Sequence, residues 1–353
     1  MRLKIEKRLV PSAWLKVTVP VCSVLMAFAI GSLFLYFQGV SPLKAYTVMA
    51  SSAFGSAYDL SETIVKALPL AMVSLATMSC FTMLLWNIGA EGQALMGALA
   101  AAAAVRYFPM ENPFAMLGLM ALFAMLLGGL WSGFAGVLKA RWNVNEIIST
   151  LMLNYIAIRG LEYFVYGPWR DPASLGFPMT KPFIDSARLP TLWGTRIHLG
   201  LYVVLFLTLL MWFLLRRSRW GYEIQVIGSN ARAAHYAGMN YERSVVLVMF
   251  FSGAIAGLAG MCEVSGLEGR LQAGFTAEYG YTAIIVAWLS HLNPLVSLLV
   301  AFLMGALMAG GDALQIMMGL PVATSTILQG LILFFVLGGE FFYKYKISWD
   351  GGR

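Results

Sequence analysis

Apolar residues in this chain come in long runs, with polar and charged residues gathered between them, rather than in the alternating or one-faced patterns of soluble elements. A helix needs roughly 20 apolar residues to cross a hydrocarbon core. Runs that meet or approach that length lie at 15–37, 64–85, 93–107, 114–138, 147–163, 198–215, 245–262, 279–291, 295–314 and 325–337. The pattern predicts an all-α polytopic membrane protein of about ten transmembrane helices. The third and eighth runs are short, which predicts chain that is broken, tilted or partly buried in protein there. Residues 1–353 read as one transmembrane domain.

The segments between the runs set the orientation. Arg2, Lys4, Lys7 and Arg8 precede the first run, and Ala27-Phe28-Ala29 mimics a signal-peptide cleavage site, but the run continues to Phe37 and reads as an uncleaved span. With the N-terminus inside, 15 of the 24 Lys and Arg residues fall on internal segments, which predicts a multi-pass protein with both termini cytoplasmic. That orientation leaves 216–244 as the longest internal loop and 162–197 as a long external one. The external segment holds five prolines together with Tyr166, Trp169, Phe177 and Trp193, a composition for an ordered, extended loop. Trp169 and Trp193 are its candidate anchors for a docking protein; the alternative is a loop that rests on lipid headgroups.

Composition then removes several function classes. Hydrophobic residues make up 59% and charged residues 12%, against about 25% charged in soluble domains, so a soluble enzyme is excluded. The net charge of +7 comes from cations that lie mainly between apolar runs, where they set topology, and nucleic acid is not an expected partner. Cys22, Cys80 and Cys262 lie in apolar stretches without metal or redox spacing. No G-x-x-x-x-G-K-[ST], H-E-x-x-H or G-x-S-x-G occurs, and His198, His235 and His291 are scattered. No catalytic residue, metal ligand or cofactor is therefore expected in this chain. Gly129-x-x-x-Gly133, Gly253-x-x-x-Gly257 and the alanine run 98–104 read as close helix packing.

Polar side chains inside the apolar runs carry more meaning, since an ionisable group in a span needs a cavity or a partner. In Asn87-Ile88-Gly89-Ala90-Glu91-Gly92-Gln93, two glycines and three polar side chains interrupt two runs. A helix loosens there, and Asn87, Glu91 and Gln93 are candidates to line or gate a translocation path. The other reading is a plain cytoplasmic turn. Asp312, with Gln315 and Gln329, faces a path or satisfies neighbouring helices.

The internal loop contains a helix signal. Asn230 offers a capping oxygen, 231–237 is rich in alanine, and Gly238 supplies a left-handed stop. Such a short helix needs packing to be stable, either as a peg in a cytoplasmic partner or flat on lipid.

The stretches "NIGAEGQ" (87–93) and "GSNARAAHYAGMN" (228–240) resemble the permease subunits of bacterial ABC importers of the ribose, branched-chain amino acid and nucleoside group, and the likeness runs along nearly the whole chain. The resemblance implies a bundle similar to the cobalamin-importer permease, in the bacterial inner membrane. It implies three partners besides lipid: a separate ABC ATPase, a second permease that is identical or homologous, and an extracytoplasmic substrate-binding protein. It carries ATPase coupling onto Asn230, Ala233, Ala234, Ala237 and Gly238, and binding-protein docking onto the external loop. "NIGAEGQ" is most similar to the nucleoside branch, with simple sugars as the alternative. The alternative from a different class is an ion-coupled secondary transporter in which Glu91 or Asp312 carries the proton.

Overall fold

The computed structural model describes residues 2–7, 14–275 and 278–350; Arg8 and Arg353, two of the cations used for orientation, lie outside them. The helices are α1 (Leu15–Phe37), α2 (Pro42–Phe54), α3 (Ala57–Thr82), α4 (Ala90–Tyr107), α5 (Pro113–Trp142), α6 (Glu146–Tyr166), α7 (Gly200–Arg217), α8 (Arg219–Ser229), α9 (Ala231–Tyr236), α10 (Tyr241–Glu263), α11 (Tyr279–Leu289), α12 (Pro294–Met318) and α13 (Ala323–Lys344). A two-stranded antiparallel ribbon is the exception to the all-helical expectation. Arg2–Lys7 (β1) pairs with Tyr345–Asp350 (β2), with Ile5 opposite Ile347, and the period-two alternation of RLKIEK suits a strand.

Every apolar run falls on one of these helices. Six stretches among the described residues are long and apolar enough to cross a membrane: Thr18–Phe37, Ala57–Thr82, Pro113–Trp142, Gly200–Arg217, Tyr241–Glu268 and Pro294–Met318. The chain is a multi-pass membrane protein. α4 and α6 have 18 and 21 residues but carry ionisable groups, while Tyr279–Leu289 and Ala323–Gly339 are shorter apolar helices. The span on α3 is 89% buried and that on α5 28%, so α3 is surrounded by protein while α5 keeps a broad apolar face outward.

The chain divides into two compact units. In the central unit, Ser61–Gly305, α10 packs against α4 and α5 at backbone distance. Gly257 meets Ala124 O and Gly97, and Gly253 meets Gly128 O, so a Cβ on α10 at either position would collide with main chain. This is the close packing expected of 253–257. Its partners on α5 are Ala124 and Gly128, whereas Gly129 and Gly133 receive the ring of Phe250.

In the unit formed by Met1–Leu60 and Ala306–Arg353, Gly31 of α1 lies against Leu328 of α13. Tyr46 of α2 donates to the Phe28 carbonyl at 2.7 Å and sets its ring edge-on to Phe28 at 5.3 Å. α2 begins with Ser41 followed by proline at its first position, a start signal that the low hydrophobicity of the segment hid from a reading of apolar runs.

Gly257→Val is expected to lower thermal stability by about 2 kcal/mol or more, because the contacted atoms are backbone and cannot turn aside. Melting of the detergent-purified protein checks this, with the same substitution at Gly118, whose surroundings are open, as the control.

Candidate functional site

α3 ends in a Schellman cap. Leu85 N–H donates to Cys80 O and Leu84 N–H to Phe81 O, each at 3.0 Å, with Leu84 at φ 57° in the left-handed position usually given to glycine. Non-helical chain then runs to α4, which starts at Ala90. The helix is interrupted over 83–89, so only the first part of the predicted 87–93 break is non-helical and 90–93 open α4; Asn87, Glu91 and Gln93 are buried, whereas Leu84 and Trp86 are exposed.

Its polar groups are spent on protein. Asn87 is the hub: its Nδ2 donates to Gln93 Oε1 (3.2 Å) and Ser252 Oγ (3.0 Å), and its Oδ1 accepts from Gly89 N–H (3.0 Å) and Gln93 Nε2 (2.9 Å). From α6, Asn154 accepts from Gly92 N–H at 2.9 Å and donates to Ile88 O at 3.0 Å, while Thr150 Oγ1 receives Ile88 N–H at 3.3 Å. Glu91 accepts the Gly280 N–H at 2.6 Å, capping α11 from another helix. Asn87, Glu91 and Gln93 thus tie the start of α4 to α10 and α11, Asn154 and Thr150 tie it to α6, and Asn87, Glu91 and Gln93 are all buried.

Sequence reading missed Asn154 and Thr150. Their i, i+4 spacing, continued by Ala157, puts them on one face of a helix, a signal available in the sequence. α11 is fastened at its other end by rings, Trp288 lying 5.6 Å from Trp86 and 5.8 Å from Phe81.

The other predicted residues are placed as follows. Asp312 is exposed on α12 and belongs with the terminal unit, as do Gln315 and Gln329. The internal loop folds as α8 and α9. Asn230 Oδ1 accepts from Arg232 and Ala233 N–H, both at 3.1 Å, and Gly238 (φ 77°) closes a second Schellman cap through Met239 N–H to Ala234 O at 3.0 Å. Asn230, Ala233, Ala237 and Gly238 are exposed. Ala234, grouped with them from the sequence, is 1% exposed and faces the chain's own body, so it seats the helix instead of presenting a surface.

The two tryptophans also separate. Trp193 is 70% exposed, whereas Trp169 is 5% exposed, with its indole N–H on Tyr107 OH at 3.2 Å and its ring 4.6 Å from Phe164. Trp169 holds the long connection down and Trp193 stands out from it. A cavity of about 480 Å³ beside Trp169 is lined by Arg106, Tyr107, Lys181 and Phe183.

The connection between α6 and α7 is ordered by hydrogen bonds to the segment after α10. Thr180 N–H meets Leu271 O at 2.8 Å, Phe183 N–H meets Gly269 O at 2.8 Å, and Leu189 N–H meets Ser265 O at 3.1 Å. His198 lies under this seam, its ring against Gly266 of the π-helical turn Val264–Glu268 and its Nδ1 accepting from Gly200 N–H at 3.1 Å. Burial pushes its pKa down to about 4, so the ring is neutral at neutral pH.

Asn154→Leu is expected to cost about 1–3 kcal/mol for each of the Ile88 and Gly92 groups it strips, read as a fall in melting temperature. For His198, the unfolded chain binds the extra proton between about pH 6.5 and pH 4. Stability is therefore lost as pH falls through that window, by roughly 2 kcal/mol at pH 5 relative to neutral pH. His198→Asn, which keeps an acceptor for Gly200, is expected to flatten that dependence in melts at pH 7 and 5.

Comparison with known proteins gives the chain its family. The family described as "branched-chain amino acid transport system / permease component" matches residues 59–337. The chain is 34% identical to the glucose ABC transporter permease protein TsgB13 of Haloferax volcanii, over 99% of this chain and 94% of that protein. It is 33% identical to the guanosine ABC transporter permease protein NupP of Bacillus subtilis, over 90% and 92%, and 26% identical to the nucleoside ABC transporter permease protein NupB of Lactococcus lactis, over 91% and 90%. No solved structure matches. The match takes in the buried break, the α8–α9 loop and all but the ends of the chain, and the chain belongs to this family of ABC transporter permeases.

Proposed function

We propose that this chain is the membrane subunit of an ATP-driven importer of a small, neutral, hydroxyl-rich solute, a nucleoside in the first instance. The observation that carries the reading is α9, a helix capped at both ends whose small residues Ala233 and Ala237 face outward, the shape a cleft in an ATPase subunit accepts. In this reading 216–244 is the cytoplasmic coupling loop and 162–197 the external loop, both termini are cytoplasmic, and the membrane is the bacterial inner membrane. About ten helices cross it in a single permease domain similar to the cobalamin-importer bundle, with α4 and α11 entering as shorter pieces beside the break.

ATP hydrolysis belongs to a separate ATPase subunit, the pore is completed by a second permease, and solute arrives on an extracytoplasmic binding protein that docks at the external loop. Trp193 is its anchor, and Trp169 supports the loop from below. Asn87, Glu91 and Gln93 gate the path by holding its wall, and Asp312 remains a path residue on α12. A neutral, hydroxyl-rich solute suits a wall of neutral hydrogen-bonding groups such as Asn87 and Gln93, and weak contacts let it leave quickly.

The nucleoside reading rests on the guanosine and nucleoside permeases among the relatives; the glucose permease supports a simple sugar as the second reading. Uptake by the reconstituted transporter, competed with guanosine, uridine, ribose and glucose, distinguishes them: nucleosides are expected to compete, and competition by glucose alone selects the sugar reading.

Ala233→Arg is expected to abolish transport while the permease stays folded, since a bulky charge on the outward face clashes in a close-packed cleft. Trp193→Ala is expected to weaken binding-protein affinity without changing the melting temperature. Equal transport by Ala233→Arg and the parent removes the peg reading.

A further inference from the structure

The α8–α9 loop meets the chain where it leaves α3. A Cβ placed on Gly228, in the last turn of α8, would come within 2.9 Å of Met83 Cα, of Met83 C and of Thr82 O. All three are main-chain atoms, so neither side can yield as the end of a side chain would. The contact falls on the Schellman cap of α3, beside Leu84, a leucine held left-handed at φ 57° and 62% exposed.

We infer that Gly228 and Met83 form the joint through which the α8–α9 loop moves the break between α3 and α4, which makes Gly228 a positioning residue for transport. The inference rests on the reading of α9 as the ATPase contact.

On the loop side there is little slack. Asn230 closes α8 through its N–H to Val226 O at 2.9 Å and opens α9 through its side chain, so the two helices turn together. Gln225 ties α8 back to α7 by donating to Leu215 O at 2.8 Å. On the other side, Met83 is four residues from Asn87, and the chain between is pinned by Leu85 N–H to Cys80 O and Asn87 N–H to Leu85 O. Asn87 leads to Gln93 and Ser252, Glu91 to the start of α11, and Trp86 to Trp288 near its end. A displacement of α9 therefore reaches α4 directly and α11 at both ends, because packed elements shift as bodies and do not absorb strain continuously.

The test uses the whole transporter, with ATPase, second permease and binding protein, in proteoliposomes. Gly228→Ala is expected to keep complex assembly and basal ATP hydrolysis while uptake falls roughly tenfold or more, the range of a typical coupling free energy. Uptake and hydrolysis falling together, in proportion to folded protein, would show a packing role only and overturn the proposal.

A second measurement leaves position 228 untouched. Leu84→Cys, with Cys22, Cys80 and Cys262 replaced, is labelled with a hydrophilic maleimide in nucleotide-free and nucleotide-trapped states. The rate is expected to change roughly fivefold or more between states, and the change to vanish when Gly228→Ala is added. An equal rate in both states overturns the joint. Ala233→Arg separates the two levels: if it uncouples transport while Gly228→Ala does not, the joint falls and the coupling loop stands; if it transports like the parent, the reading of α9 falls.

Discussion

A non-helical segment buried in protein must find partners for the backbone groups it withdraws from water. Between α3 and α4 that requirement is met by Asn87, Asn154 and Thr150, which take up the backbone groups of 88, 89 and 92. Apolar packing surrounds the site without being able to replace it. Two asparagines do most of this because each side chain both donates and accepts, so one residue closes a backbone N–H and another residue's carbonyl or amide at once, and Thr150 takes the remaining Ile88 N–H. Glu91 adds the start of α11 by accepting the Gly280 N–H.

The same arrangement gives the break its mechanical character. Helices α4, α5 and α10 touch through glycine and alanine backbones, so they have little freedom to slide independently. The break is held by directional hydrogen bonds, which can be exchanged between discrete partners as the helices they join change position. In the proposed transport cycle the glycine and alanine contacts are the stiff frame and the hydrogen-bonded break is the joint.

Much of this was legible in the sequence. Each of the ten apolar runs lies on a helix, since length and hydropathy alone decide that outcome. The interruption before α4, found over 83–89 against the 87–93 read from the sequence, the capped helix at 231–236 and the close approach at 253–257 were each signalled by residue types whose chemistry is local. What was not legible depended on three-dimensional neighbours. Trp169 and Trp193 are equivalent in composition, and only folding buries one under Tyr107 and Phe164 while exposing the other. Ala234 turns inward because a six-residue helix takes its phase from what it rests on. Asn154 gave an i, i+4 signal with Thr150, yet its partners are about 60 residues away in sequence and no local rule pairs them. The terminal ribbon was hidden for a similar reason, as its two strands come from opposite ends of the chain.

The central claim is that force enters from an ATPase at α8–α9, and that no ion gradient acts through Glu91 or Asp312. The most direct measurement is solute uptake into proteoliposomes holding the complete transporter, with the proton and sodium gradients collapsed and ATP supplied to the ATPase face. Uptake is expected to continue at the parent rate, and to stop when the ATPase subunit is made unable to hydrolyse ATP. Uptake that ends with the gradients and survives a hydrolysis-dead ATPase would contradict the account.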